Sequence, residues 1–123
     1  LLDAGVDVLT TGNHVWKFPS IVDVLERDSR LLRPRNFPAG NPGRGWTVQT
    51  ARDGARIGVL NLIGRAFMGP ADCPFRAADE VLAENRDQVD AVFVDAVTAV
   101  ICVGELTVND AAFAPPNATA VTS

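Results

Sequence analysis

Histidine occurs once in these 123 residues, lysine once and cysteine twice, and no apolar run approaches the roughly 20 residues that span a membrane. Each scarcity removes a class of protein. Cys73 and Cys102 lie far apart, without CxxC spacing, and are too few for a disulfide framework. They read as two free thiols in a reducing cytoplasm, which is the expected location. The ten arginines and Lys17 are spread along the chain with no basic block, and the net charge is only −4. That balance points to neither a nucleic-acid polymer nor a membrane as partner. The N-terminus has no basic region ahead of an apolar stretch, so it does not read as a secretory signal. The lone imidazole places histidine chemistry at one position, His14. No internal repeat is present.

What is there suffices for one domain. A hydrophobic fraction of 47% supports a core and argues against disorder. The chain opens on Leu1-Leu2-Asp3-Ala4-Gly5, without an initiating methionine. This reads as the last turn of a helix closing on a glycine. One turn is not a stable helix, because nucleation is costly and is recovered only over several turns. The expectation is therefore a fragment with sequence missing upstream.

Residues 6–10 form a β-branched and apolar run bounded by Gly5 and Gly12, as expected of a strand buried on both faces. Pro19 suits a first helical turn, and Ile21, Val22, Leu25 and Leu32 alternate with Asp23, Glu26, Arg27 and Asp28, predicting a helix over about 19–29. Residues 33–45, with three prolines and three glycines, read as an ordered irregular loop. A hairpin follows: alternation over 46–51, the turn signal Asp53-Gly54, and a returning strand over 56–63. After a second irregular segment at 64–74, residues 75–87 form an amphipathic helix with Phe75, Ala78, Val81 and Leu82 on one face. Residues 90–95 predict a buried strand ending in Asp95, residues 97–103 offer another, and 109–123 read as loose. Strand, helix, hairpin, helix, strand is an α/β order with a mixed sheet.

Thr11-Gly12-Asn13-His14 ends the first strand and carries the candidate chemistry. Glycine at a strand end lets backbone approach a ligand closely. The Asn13 amide oxygen can ligate a metal, and His14 can ligate or transfer protons near neutral pH. The plain alternative is a turn in which Asn13 is left-handed and His14 caps the next helix.

The neighbouring blocks narrow the choice. Gly5-Val6-Asp7-Val8-Leu9-Thr10-Thr11-Gly12-Asn13-His14-Val15-Trp16 resembles the third conserved block of the calcineurin-like metallophosphoesterases, in the form found in the YmdB-type bacterial branch. The resemblance continues through Arg30-Leu31-Leu32-Arg33-Pro34, Asn36-Phe37-Pro38 and Pro42-Gly43-Arg44-Gly45. It resumes in Val59-Leu60-Asn61-Leu62-Ile63-Gly64-Arg65, Phe67-Met68 and Asp72-Cys73-Pro74-Phe75-Arg76-Ala77-Ala78-Asp79, and ends at Val92-Phe93-Val94-Asp95. It implies that 1–95 is part of a four-layer α/β/β/α sandwich and that 96–123 is a divergent or loose tail. It also implies a two-metal centre, with manganese or iron, that hydrolyses phosphodiesters such as cyclic nucleotides. On this resemblance Asn13 is a metal ligand and His14 the acid or transition-state stabiliser beside the leaving group.

Several family features are missing. The first metal ligands of the family belong to blocks upstream of position 1. Asp95 is followed by Ala96-Val97 where the family has Phe and a ligating His, and no later histidine block exists. Lys17 stands where the family commonly has an acidic residue. One matched ligand cannot replace a set converging on two ions about 3.5–4 Å apart. The isolated chain is thus expected to be inactive, with Asp7, Asp72, Asp79 and Asp95 read as caps, turn residues or solvated charges.

Arg33, Arg35, Arg44 and Arg65 read as surface residues, with phosphate contact the alternative. Cys73 reads as a structural thiol, and Trp16 and Trp46 as core or subunit-contact residues, which leaves a homo-oligomer open. For residues 96–123 a diverged end, a deletion followed by unrelated sequence, or a shifted reading frame stand side by side. The competing functional reading is a non-catalytic α/β module that binds through the loops at 33–45 and 64–74.

Overall fold

Asp53-Gly54 turns the chain back on itself, and the larger sheet grows from that hairpin. In the computed structural model, which describes residues 1–66 and 69–97, Gly54 takes the left-handed φ of 87° that the turn requires. The Ala51 N–H donates to the Ala55 carbonyl at 2.8 Å, and the Asp53 carboxylate accepts from the Ala55 N–H at 3.0 Å. Strands β3 (Trp46–Thr50) and β4 (Arg56–Ile63) pair antiparallel, with Trp46 opposite Leu60 and Thr50 opposite Arg56. Strand β5 (Ala91–Val97) adds parallel on the other side of β4, making a three-stranded mixed sheet of order β3-β4-β5.

A parallel neighbour requires a crossover, and helix α2 (Pro74–Asn85) supplies it. Pro74 occupies its first turn, where a missing N–H costs nothing. Ala77, Ala78 and Val81 pack on Leu60 and Leu62 of β4, with Trp46 at the margin. The indole of Trp46 lies over Gly58, where a Cβ would stand 2.0 Å from the ring.

The N-terminal part forms a second, two-stranded sheet. Strands β1 (Leu9–Thr10) and β2 (Leu31–Leu32) pair parallel, and helix α1 (Ile21–Arg27) connects them. Leu25, Leu31 and Val15 make a separate small core, closed by Leu9, Trp16, Ile21 and Phe37. Burying a side chain such as Leu25, fully inaccessible here, stabilises by about 1.5–3 kcal/mol. Asp28 ends α1, and its carboxylate accepts from the Arg30 main chain at 2.9 Å and from the guanidinium at 3.0 and 2.8 Å.

Loop 33–45 ties the two sheets together through buried polar groups. The Arg35 N–H donates to the Asn61 carbonyl at 2.7 Å, and the Asn61 N–H to the Gly45 carbonyl at 2.9 Å. Gly45 passes so close to Arg35 that a Cβ would lie 2.4 Å from its Cα. The buried Asn36 amide donates to the carbonyls of Ile63 and Asp72, both at 2.8 Å, and accepts from the Ile63 N–H at 2.9 Å.

The mixed α/β composition is as the sequence predicts, and both Trp16 and Trp46 pack on cores. Other expectations need correction. The described residues form two sheets where the order of elements by itself suggests one, and Leu32 is in strand β2, not in the phase of a helix. The first strand is confined to Leu9–Thr10, and α1 to Ile21–Arg27, because Asp28 turns extended at its end. Strand β5 is not buried: among the described residues it is the outer strand of its sheet, and Phe93 and Val94 are exposed. The opening pentapeptide does form a 3-10 turn that closes on a left-handed Gly5. The readings for 97–103 beyond Val97 and for the tail, and the Phe67-Met68 part of the second loop, lie outside the described residues.

Candidate functional site

The loop after β1 stands at the carboxyl end of parallel strands, the place where open α/β sheets most often bind ligands. Val15 anchors its far side: the side chain is buried in the α1 core, and the Val15 N–H closes on the Gly12 carbonyl at 3.2 Å. A 3-10 turn, Val15–Lys17, follows.

Two straps hold the near side. Asn61 is completely buried, and its amide nitrogen donates to the Thr11 carbonyl at 2.8 Å and to the Leu32 carbonyl at 3.1 Å. The Thr11 hydroxyl donates to that same Leu32 carbonyl at 2.8 Å. The Thr10 hydroxyl donates to the Asp95 carboxylate at 2.5 Å, tying β1 to the outer strand. Asn61 and Asp95 are register partners on β4 and β5, so adjacent positions of one sheet grip successive residues of the loop.

Against this fixed backbone, Asn13 and His14 are both exposed. His14 occupies the cap position of the 3-10 turn, yet its side chain makes no capping hydrogen bond. Asn13 borders a cleft of about 270 Å³ with Trp16, Phe37 and Ile63, and His14 borders one of about 440 Å³ with Thr11, Phe18 and Ile21.

The other predicted groups are dispersed. Asp7, Asp72 and Asp79 are exposed, and Asp72 lies 3.9 Å from Arg76 on the surface. Among the described residues no three His, Cys, Asp or Glu side chains gather closely enough to hold a metal ion. A two-metal centre therefore does not fit the described residues by themselves. Arg33 is neither a surface residue nor turned to a ligand. It is 5% exposed, and its guanidinium donates to the carbonyls of Pro42, Pro34 and Asn41 at 2.9, 2.8 and 3.1 Å. Burial, and secondarily the charge of Arg35, pushes its pKa down. Arg44 and Arg65 are exposed, and Cys73 is a free thiol at the N-terminal cap position of α2.

Sequence reading missed Asn61, Asn36 and the Thr10–Asp95 strap. One signal was available: Asn61 interrupts the apolar run Val59-Leu60-Asn61-Leu62-Ile63, and a polar group inside a buried strand has to find partners.

Comparison with known proteins gives the chain its relatives. It is 42% identical over 95 residues to the 2',3'-cyclic-nucleotide 2'-phosphodiesterase of Bacillus subtilis (strain 168), an alignment covering 77% of this chain and 36% of that protein. The crystal structure of a hypothetical protein from Thermus thermophilus superposes with a TM-score of 0.71 at 38% identity, covering 78% of this chain and 36% of the other. A novel phosphatase from Mycoplasma pneumoniae matches with a TM-score of 0.63 at 28% identity, over 77% and 35% of the two chains. The chain thus spans about a third of the length of these relatives. No helix among the described residues is long and apolar enough to cross a membrane. The family described as YmdB-like protein matches residues 1–101, and this chain belongs to it.

Proposed function

We propose that this chain carries the asparagine–histidine element of a metal-dependent phosphodiesterase whose substrates are cyclic nucleotides. The observation that carries the reading is the loop of Asn13 and His14: exposed side chains on a backbone fixed from β4 and β5, in a chain 42% identical to a cyclic-nucleotide phosphodiesterase. The larger architecture is the four-layer α/β/β/α sandwich. In its support, α2 packs on the Leu60 and Leu62 face of β4, while the neighbouring Asn61 bonds to the layer of β1, β2 and α1.

Asn13 would offer a neutral amide oxygen to a divalent metal, whose chemistry when bound is polarisation of the phosphate and activation of water. His14 holds a proton on its imidazole for the departing oxygen. Asn61 and Asp95 orient the loop through Thr11 and Thr10. The described residues do not complete a two-metal centre, so its other ligands have to come from sequence outside them, and the chain alone is inactive in this reading.

A chimera tests it: residues 1–95 of this chain replace their counterpart in the Bacillus subtilis phosphodiesterase. The expected result is manganese- or iron-dependent cleavage of a 2',3'-cyclic nucleotide, lowered about 10²–10⁴-fold in kcat by His14→Ala. A folded chimera without activity refutes the assignment. The poor metal fit favours a second reading, a non-catalytic module binding through its loops. Calorimetric titration of the present chain with manganese separates the two, since tight uptake of two ions opposes the module.

A further inference from the structure

The cleft beside Asn13 has a composition that a phosphate site does not need. Its wall is aromatic and apolar: Trp16 and Phe37, with ring centroids 6.2 Å apart and planes at 38°, then Ile63 and Pro70. Its polar groups are two amide side chains, Asn13 at one side and Asn41 at another. Among the described residues no charged side chain lines it. At about 270 Å³ it falls just below the ~300–1,000 Å³ that houses drug-sized ligands, so it takes a ring system and not an entire nucleotide.

We propose that this cleft is the nucleobase subsite of the chain. The inference rests on the phosphodiesterase reading for the placing of the phosphate, but the chemistry of the cleft is independent of it. Aromatic faces stack with heterocycles irrespective of sequence, and an amide presents both a donor and an acceptor to the edge of a base. A solvated phosphate gains nothing from Trp16, Phe37 and Ile63. In a 2',3'-cyclic nucleotide the base is carried on C1', the ring atom next to the one bearing the 2'-oxygen. Base and phosphate therefore need adjoining subsites, and Asn13 belongs to both. Existing hydrogen bonds hold the wall that Asn41 belongs to. The Asn41 N–H donates to the Pro38 carbonyl at 3.0 Å, and the Asn41 carbonyl accepts from the Arg33 guanidinium at 3.1 Å. That wall is thus in place before a ligand arrives.

The test uses the full chain and adenosine, which has the base but no phosphate, followed by nuclear magnetic resonance at millimolar ligand. The expected result is saturable shifts of the Trp16 indole N–H and the Asn41 side-chain amide, with the Trp46 indole unmoved as internal reference. Ribose 5-phosphate produces no such shifts. Loss of a stacking ring weakens a base by about 5- to 150-fold, so Trp16→Leu abolishes saturation in this range, while Trp16→Phe retains it. Because Trp16 also closes the α1 core, Asn41→Ala is a second variant that leaves the core intact, expected to weaken binding several-fold. Shifts that are absent, equal for ribose 5-phosphate, or unchanged in both Trp16→Leu and Asn41→Ala overturn the subsite. The two readings fail separately. Adenosine binding beside an inactive chimera refutes the phosphodiesterase and leaves the subsite. An active chimera that cleaves a cyclic phosphate without a base as well as the nucleotide, with no adenosine shifts in this chain, does the reverse.

Discussion

Replacing Asn61 with alanine should free the Asn13–His14 loop at a modest cost to the fold, whereas Asn36→Ala should cost the fold more and leave that loop fixed. Both asparagines are buried, at 0% and 1% exposure, and both bond only to main chain through their side chains. They differ in how completely they are satisfied. Asn36 makes three bonds, using both ends of its amide. Removing it loses three bonds at about 0.5–1.5 kcal/mol each and strands buried partners at about 1–3 kcal/mol in all, a sum of about 2.5–7.5 kcal/mol. Asn61 donates twice, but among the described residues its Oδ1 is buried without a hydrogen-bond partner. That orphan already costs about 1–3 kcal/mol, which the alanine recovers. The Leu32 carbonyl keeps the Thr11 hydroxyl, so only the Thr11 carbonyl is stranded. The stranded Thr11 carbonyl and the recovered orphan offset each other, and the two lost bonds leave a net of about 1–3 kcal/mol for Asn61→Ala. In a domain of this size 1 kcal/mol moves Tm by about 4–8 °C, so Asn36→Ala should melt at least about 8 °C below the wild type. Asn61→Ala should melt between the two. Backbone relaxation then reads the loop: order parameters at Gly12, Asn13 and His14 should fall from about 0.85 towards 0.6 in Asn61→Ala and hold in Asn36→Ala. Equal melting losses, or an unchanged loop in Asn61→Ala, refute the reasoning.

Three further outcomes are expected. The Arg30 guanidinium and main chain hold the Asp28 carboxylate at a pKa of about 2, below its usual 3.8. The folded value lies below the unfolded one, so the stabilisation is present above about pH 4 and is lost as pH falls towards 2. In Arg30→Met the Asp28 resonance, followed by carbon-detected titration, should return towards the ordinary value. Gly45→Ala should cost at least about 1–3 kcal/mol in urea unfolding, because its Cβ meets the Arg35 main chain, whereas Gly40→Ala, with nothing within 4 Å, should be close to neutral. Arg33→Lys keeps the charge but not the planar fork that reaches three carbonyls, and should lower stability by about 1–3 kcal/mol with broadened amide resonances confined to 33–45.

Local signals carried much of the fold. Alternation and Asp53-Gly54 located the hairpin, and α2 emerged from its periodicity with a shift of one residue at its start, since Pro74 itself is the first helical residue. Thr11-Gly12-Asn13-His14 was visible as a strand-end motif because glycine and a lone imidazole are unusual neighbours there. The site's support was not visible. Asn61 and Thr11 are 50 positions apart, and Asp95 and Thr10 are 85, so nothing in local spacing could pair them. Arg33 shows the same gap: an arginine among prolines reads as solvent-exposed, and only the closed loop supplies the three carbonyls that make its burial tolerable.

The sequence by itself determined the α/β class, the hairpin and the identity of the two candidate side chains, because these depend on neighbours within a few residues. Tertiary structure alone decided that β1 and β2 pair apart from the three-stranded sheet and that β5 exposes Phe93 and Val94. It also decided that Asn13 borders an aromatic cleft with Trp16 and Phe37, and that His14 borders one with Phe18 and Ile21. Each of those outcomes follows from which distant backbone groups meet: a buried carbonyl takes whatever donor the packing brings to it, and here the packing brings Asn61 to Thr11.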